Sequence, residues 1–277
     1  MTDRRSLLAN ARVAAAELAG TVAAPAYAAG TWRRVARPVA DLCAAPAGPR
    51  DRQLLYGERV RVLEERAGWA FGAAARDGYV GYLAAEALAE DVEPTHRVAV
   101  PATHLYPAPE LKRREAAWLP FGAQLRVVSA QGAFLETAEG LFVPMPHLRP
   151  LAAPFADPVS VAELFRGVPY LWGGNSTAGI DCSGLVQAAC LAAGLACPGD
   201  TDQQEAALGA TLPAGAPPER GDLHFWPGHV AWALDGETLL HATAATMSVT
   251  CEPIAAAHAR IEAAGEGPLT RRARLAR

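Results

Sequence analysis

The chain has 277 residues, enough for two or three domains, and 51% of them are hydrophobic, so it can bury a substantial core. Its 25 basic and 29 acidic side chains leave a net charge of −4, which excludes the basic excess expected of a partner for nucleic acid or an anionic membrane. The 25 glycines and 22 prolines imply frequent turns and β-rich modules.

The opening stretch, MTDRRSLLANARVAAAELAG, has two arginines and then an alanine-rich run broken by Asn10, Arg12 and Glu17. A secretory signal needs an unbroken apolar core, so residues 1–30 are expected to hold a short surface helix and the protein to be cytoplasmic. No run approaches the length of a membrane-spanning helix.

Two segments then superimpose with a period of a little over sixty residues. VADLCAAP, YGERVRV, GWAFG and DGYVGYLAAEAL align with ATHLYPAP, FGAQLRV, GAFLE and EGLFVPMPHL. Leu42, Pro46, Gly57, Gly78 and Leu88 match Leu105, Pro109, Gly122, Gly140 and Leu148. RVRVLEE alternates as a half-buried strand does, and Asp77-Gly78 marks a hairpin ahead of YVGYL. Two small all-β barrels are expected, over residues 31–95 and 96–152, and they resemble bacterial SH3 domains. The copies differ at Glu58 against Ala123, and Tyr79 and Tyr82 stand where the second has Leu141 and Pro144. A carboxylate with tyrosines nearby suits a substrate ammonium. LRPLAAPFADP is a proline-rich joint into a last domain, residues 153–277.

In that domain GIDCSGLVQ places a cysteine just before an apolar run. Residues 185, 186, 189, 192 and 193 have near-helical spacing, Gly194 is placed to end the helix, and Asp181 is a preferred N-cap. Cys182 then falls in the first turn, where unpaired N–H groups favour a thiolate, although Asp181 opposes it and a cationic partner is needed. Cys190 reads as core, and Cys43, Cys197 and Cys251 are assigned no chemistry. Five cysteines at irregular spacing make no disulfide framework, and no CxxC or His-x-x-x-His pair suggests zinc.

The needed partner lies in GDLHFWPGHVAWALDGETLLHATA, which reads as a β-hairpin turning at Asp235-Gly236. A two-residue turn would put His229 and His241 on opposite faces. A three-residue loop Leu234-Asp235-Gly236, with Gly236 left-handed, sets them directly opposite on one face, and is preferred. One histidine then acts as base and the other orients it. His224 and His258 read as satisfied or surface residues.

PYLWGGNSTAGIDCSGLVQAACLAAGLACPGDTDQQ, with GDLHFWPGHVAWAL and LLHA, resembles the NlpC/p60 cell-wall cysteine peptidases over about residues 165–245. The resemblance implies an α+β papain-like domain after the two SH3-like barrels, and hydrolysis of the γ-D-glutamyl–diamino acid bond of peptidoglycan stem peptides without metal or cofactor. It implies Cys182 as nucleophile, His229 as base, His241 as the orienting residue and Tyr170 beside the tetrahedral intermediate. Asp181 and Ser183 would line the pocket. Members with this SH3 pair and no signal resemble recycling enzymes that take peptides with a free N-terminal L-Ala, so Glu58 and Asp181 would clasp that ammonium, with Tyr82 or Tyr79 closing the wall. Relatives often carry an arginine where this chain has Gly199. Thr201 sits where a small hydroxyl is common, but Thr201-x-x-Gln204 is read as a capping box. Trp172 is counted with the substrate-side residues, although its ring is expected mainly to pack, and Gly173 and Gly174 let backbone approach. The same Cys/His layout serves amidases and acyltransferases, and a wall-peptide binding module on an inert shell is the non-enzymatic rival.

Overall fold

The computed structural model describes residues 3–275, divided into two compact units at Ala153/Pro154. The first unit is built from strands and 3-10 turns. Its N-terminal stretch is not the expected helix: Val13–Ala15 and Ala26–Ala28 are short strands paired in parallel, with one 3-10 turn at Ala16–Leu18 between them. The alanines favour helix only weakly as a local preference, and a short isolated helix gains little in water. Burying Val13 against Phe71 and Val80 outweighs that preference. Ion pairs from Arg12 to Glu64 and from Glu17 to Arg61 hold the stretch down.

The first β module is a seven-stranded antiparallel sheet whose outermost strands are Arg50–Leu55 and Leu88–Glu90. It is open, where a closed barrel was expected. In Arg59–Arg66 the alternation appears as anticipated, with Val60 and Val62 buried and the arginines outside the core. The second module consists of three small sheets around Val98, Leu105, Leu119, Leu125 and Val143.

Pairing repeats between the modules. Thr31–Val35 lies between Arg59–Arg66 and Leu88–Glu90, as His96–Val98 lies between Gln124–Leu125 and Leu148–Pro150. The hairpin Val39–Cys43/Arg50–Leu55 corresponds to Ala102–Leu105/Ala117–Pro120. The bridge Cys43–Tyr82 corresponds to Tyr106–Phe142.

The second unit has a six-stranded antiparallel sheet in the order Ala210–Thr211, Arg271–Arg274, Asp222–Trp226, His229–Ala233, Thr238–Thr243, Ser248–Pro253. The central strands DLHFW and HVAWA are buried throughout, as strands covered on both faces must be. Helix α1 (Pro158–Glu163) packs on α2 (Cys182–Ala192), and α2 lies against the His229 and His241 strands. Helix α3 (Thr201–Ala207) follows, and α4 (Ile254–Ala263) sets Ala257 and Ile261 on Trp226, Ala231 and Leu239. Among the described residues no helix is long and apolar enough to cross a membrane.

Candidate active site

Helix α2 starts where the sequence places it. Asp181 is the N-cap, and its Oδ1 accepts from Gly184 N at 2.6 Å and from Ser183 Oγ at 3.1 Å. Its Oδ2 accepts from Gly173 N at 2.9 Å, tying the Trp-Gly-Gly loop to the helix start. A Cβ at Gly184 would fall 2.4 Å from Gly174 O, so only glycine allows this approach. At the other end Gly194 takes φ +77°, and Gly194 N and Leu195 N donate to Leu191 O and Cys190 O, closing the helix by a Schellman motif.

Cys182 is therefore the first helical residue, and it is buried. Its Sγ lies 3.8 Å from Gly228 O and 3.8 Å from Thr201 Oγ1, with the Val230 and Ser183 N–H groups also directed at it. The sulfur thus sits against the chain on both sides of His229. The expected lowering of the thiol pKa does not occur. Burial, and then the Asp181 charge, push Cys182 up to about 11, because a desolvated sulfur beside a carboxylate outweighs the N–H groups of one helix end.

His229 opens its strand, and its Nε2 is 2.9 Å from His241 Nδ1, which leaves Nδ1 as the ring nitrogen outside that contact. The two histidines share a face, as the preferred three-residue loop predicts, but by a different register. The loop is Asp235-Gly236-Glu237, with Leu234 N bonded to Thr238 O and with Trp232 opposite Leu240. Carried back along the strands, this pairing sets His229 diagonal to His241 instead of directly opposite. Gly236 is not left-handed; Asp235 Oδ1 accepts from Glu237 N and Thr238 N, an Asx turn that the choice of Gly as key residue overlooked. Burial, with His241 adjacent, lowers His229 to about 3, and burial lowers His241 to about 4 even with Glu252 alongside. The resting site accordingly pairs a thiol with neutral imidazole.

Tyr170 is half-buried on the bridge to Ile180, and its N–H donates to Met247 O. Burial, with Cys182 and Asp181 nearby, raises its hydroxyl pKa. Thr201 is at the site, but not as a capping box. Asp200 is the N-cap of α3, and Gln204 Nε2 instead donates to Ser183 O and Pro198 O at 2.9 Å each. Gln204 thereby fastens α3 beside Cys182, a role that the cap-like spacing concealed. Trp172 is 71% exposed and does not pack as a core ring. His224, read as a satisfied or surface residue, is fully buried, with Nδ1 3.2 Å from His258 Nε2.

The residues singled out in the first unit are held within it. Glu58 is buried; both its oxygens contact Arg76 Nη1, at 3.0 and 2.9 Å, and Oε2 also accepts from Leu55 N. The carboxylate proposed for an ammonium is thus already neutralised by Arg76. Tyr79 is part of the module core. Tyr82 packs on Phe71 with centroids 4.9 Å apart and the rings tilted by 41°, and lines a cavity of about 160 Å³ with Arg12, Glu64 and Trp69. All five cysteines are free thiols, and among the described residues no three His, Cys, Asp or Glu side chains converge as metal donors.

A thiol at a helix start, beside a strand bearing a histidine held by a second histidine, is the constellation of a cysteine peptidase. Residues 167–263 match the NlpC/P60 family model. The C-terminal unit is an NlpC/P60 cysteine-peptidase domain. Residues 42–88, ahead of the NlpC/P60 domain, match the model described as bacterial dipeptidyl-peptidase Sh3 domain, so one SH3-like domain is detected where two were expected. The chain is 28% identical over 216 residues to the γ-D-glutamyl-L-lysine dipeptidyl-peptidase of Bacillus subtilis, covering 68% of this chain and 71% of that one. It is 37% identical over 105 residues to the peptidoglycan endopeptidase RipB of Mycobacterium tuberculosis, covering 32% of this chain and 43% of that one. An NlpC/P60 family protein from Bacillus cereus superimposes with a TM-score of 0.74 at 19% identity, over 88% of this chain and 99% of that one, and shares the fold.

Proposed function

We propose that the chain is a cysteine endopeptidase that hydrolyses the γ-D-glutamyl–diamino acid bond of peptidoglycan-derived peptides, acting on wall-recycling fragments with a free N-terminal L-Ala. The observation that carries it is Cys182 at the start of α2, its sulfur against the chain flanking a His229 that is itself held by His241. The names of the B. subtilis and M. tuberculosis relatives support the substrate class. We also infer that residues 96–152 are a second SH3-like copy, supported by the matched strand pairings and by the positive φ shared by Gly57 with Gly122 and Gly78 with Gly140. The helix α2 laid on an antiparallel sheet supports the papain-like description of the last domain.

With thiol and imidazole both neutral at rest, the nucleophile forms by proton transfer. His229 Nδ1 takes the Cys182 proton as sulfur attacks the γ-carbonyl of D-glutamate. The Cys182 N–H at the helix start stabilises the oxyanion, with the Tyr170 hydroxyl as second donor. The imidazolium returns the proton to the leaving amine of the diamino acid, and water deprotonated by His229 then cleaves the thioester. Release of a free γ-carboxylate separates this from amide or acyl transfer. The test is mass spectrometry of L-Ala-γ-D-Glu-L-Lys and L-Ala-γ-D-Glu-diaminopimelate digests beside glycan-linked stems. L-Ala-D-Glu is expected from the free peptides and is lost with Cys182→Ala. Wild-type protein that leaves both peptides intact, or equal cleavage by Cys182→Ala, refutes the reading.

A further inference from the structure

The pairing that places His229 on His241 continues beyond it. His241 Nε2 lies 3.2 Å from Glu252 Oε2, within ion-pair distance. Glu252 is on the next strand, where it opposes Leu239 and so shares the face of His241 as its diagonal neighbour. Its two oxygens are gripped by Arg260 from the last turn of α4, with Nε at 2.9 Å from Oε1 and Nη2 at 2.7 Å from Oε2. A line of four side chains therefore runs His229, His241, Glu252, Arg260, beginning at the strand start that the Cys182 sulfur packs against.

We propose that Glu252, clamped by Arg260, is a positioning residue that sets the tautomers of both histidines and so keeps His229 in its base form. A neutral imidazole carries one N–H, and an ionised carboxylate only accepts. If His241 places its proton on Nε2, toward Glu252, its Nδ1 becomes an acceptor. His229 must then donate from Nε2, which leaves Nδ1 bare to receive the thiol proton. In the opposite arrangement a lone pair of His241 faces the carboxylate, His241 donates from Nδ1, and His229 carries its proton on Nδ1, where it can accept nothing. The carboxylate selects the first state through two rings. Arg260 keeps the carboxylate ionised and fixed in orientation, and burial keeps His241 from holding two protons at neutral pH. This inference rests on the peptidase reading, because it gives His229 the role of base.

The test is ¹⁵N NMR of the histidine rings in the full-length protein, with kinetics on L-Ala-γ-D-Glu-L-Lys. Wild type is expected to show protonated Nε2 and bare Nδ1 at both His229 and His241. Glu252→Gln, whose amide can donate to His241 Nε2, should populate Nδ1–H at His229 and lower kcat at least tenfold, with KM within about twofold; general-base catalysis as a whole is worth about 10²–10⁴-fold. Glu252→Asp should recover part of kcat. A wild-type His229 carrying its proton on Nδ1 overturns the proposal, as do tautomers unmoved in Glu252→Gln whatever the rate. Should Glu252→Gln fail to fold, the wild-type spectrum still decides. Wild type with the expected tautomers but no cleavage of the peptide would sink the substrate reading and leave the role of Glu252 standing.

Discussion

Asp181 holds the start of α2 together and at the same time hinders the chemistry of the residue next to it, so neutralising it should move stability and reactivity in opposite directions. In Asp181→Ala the Gly184 N–H loses its cap, a loss of about 1 kcal/mol. The buried Gly173 N–H loses its acceptor, costing about 1–2 kcal/mol more. The sum, about 2–3 kcal/mol, should lower the urea midpoint of this unit by about 1–2 M. Asp181→Asn retains an oxygen for Gly184 N and should cost about half as much. Both variants remove the charge that raises the Cys182 pKa, so both should alkylate faster at pH 8. Each unit of pKa lost multiplies the thiolate fraction tenfold, and weaker nucleophilicity reduces the net gain to about threefold. Two thiols report the two effects, and mass spectrometry of the separate peptides resolves them. Cys190, buried in the middle of α2, becomes alkylatable only when the helix opens, so its urea profile measures stability. The Cys182 rate in native buffer measures the charge effect. An unshifted Cys190 profile in Asp181→Ala would refute the role given to the cap, and an unchanged Cys182 rate in both variants would refute the electrostatic one.

Acid should open the C-terminal unit first. Its buried His229, His241 and His224 are lowered to about 3, 4 and 4, so each binds a proton when unfolded near pH 6.5 that it refuses when folded. Their stability is present above pH 6.5 and lost as pH falls toward 4, at up to about 4 kcal/mol per pH unit for three protons. Hydrogen exchange across that range should show the His229 and His241 strands losing protection before Arg59–Arg66; simultaneous loss would contradict this. Removing Glu58 as Glu58→Ala leaves Arg76 buried with Asp77, at 3.7 Å, as its remaining carboxylate beside the Gln53 carbonyl at 2.8 Å, and should destabilise the first module by about 3 kcal/mol, with Glu58→Ala/Arg76→Met recovering much of that. Thermal melts check it. A rise in KM for L-Ala-γ-D-Glu-L-Lys that persists in the stable double variant would show that the carboxylate also serves substrate.

Much of the site was legible because its signals are local. Asp181 as cap, Cys182 in the first turn and Gly194 as terminator all act within one helix, and strand periodicity together with a three-residue loop puts His229 and His241 on one face. The register error at Asp235-Gly236-Glu237 came from a choice between two local turns, Asx-bonded or glycine-led, that short-range sequence does not separate. The capping-box reading of Thr201 and Gln204 failed because both side chains face the start of α2, nineteen residues or more away in the chain. No spacing pattern announces Glu252 or Arg260, since their value depends on which strand lies beside His241.

The sequence by itself determined the helix that bears Cys182 and the tandem β organisation, since each follows from propensity, capping or alternation over a few residues, while the facing of His229 and His241 hung on the length of the loop between them. Only the tertiary structure decided the protonation of the site and the partners of its charges. Burial of the Cys182 sulfur next to Asp181, the Arg76 clamp on Glu58 and the Arg260 clamp on Glu252 arise when distant segments exclude water from one another, and a desolvation energy has no counterpart in the order of residues along a chain.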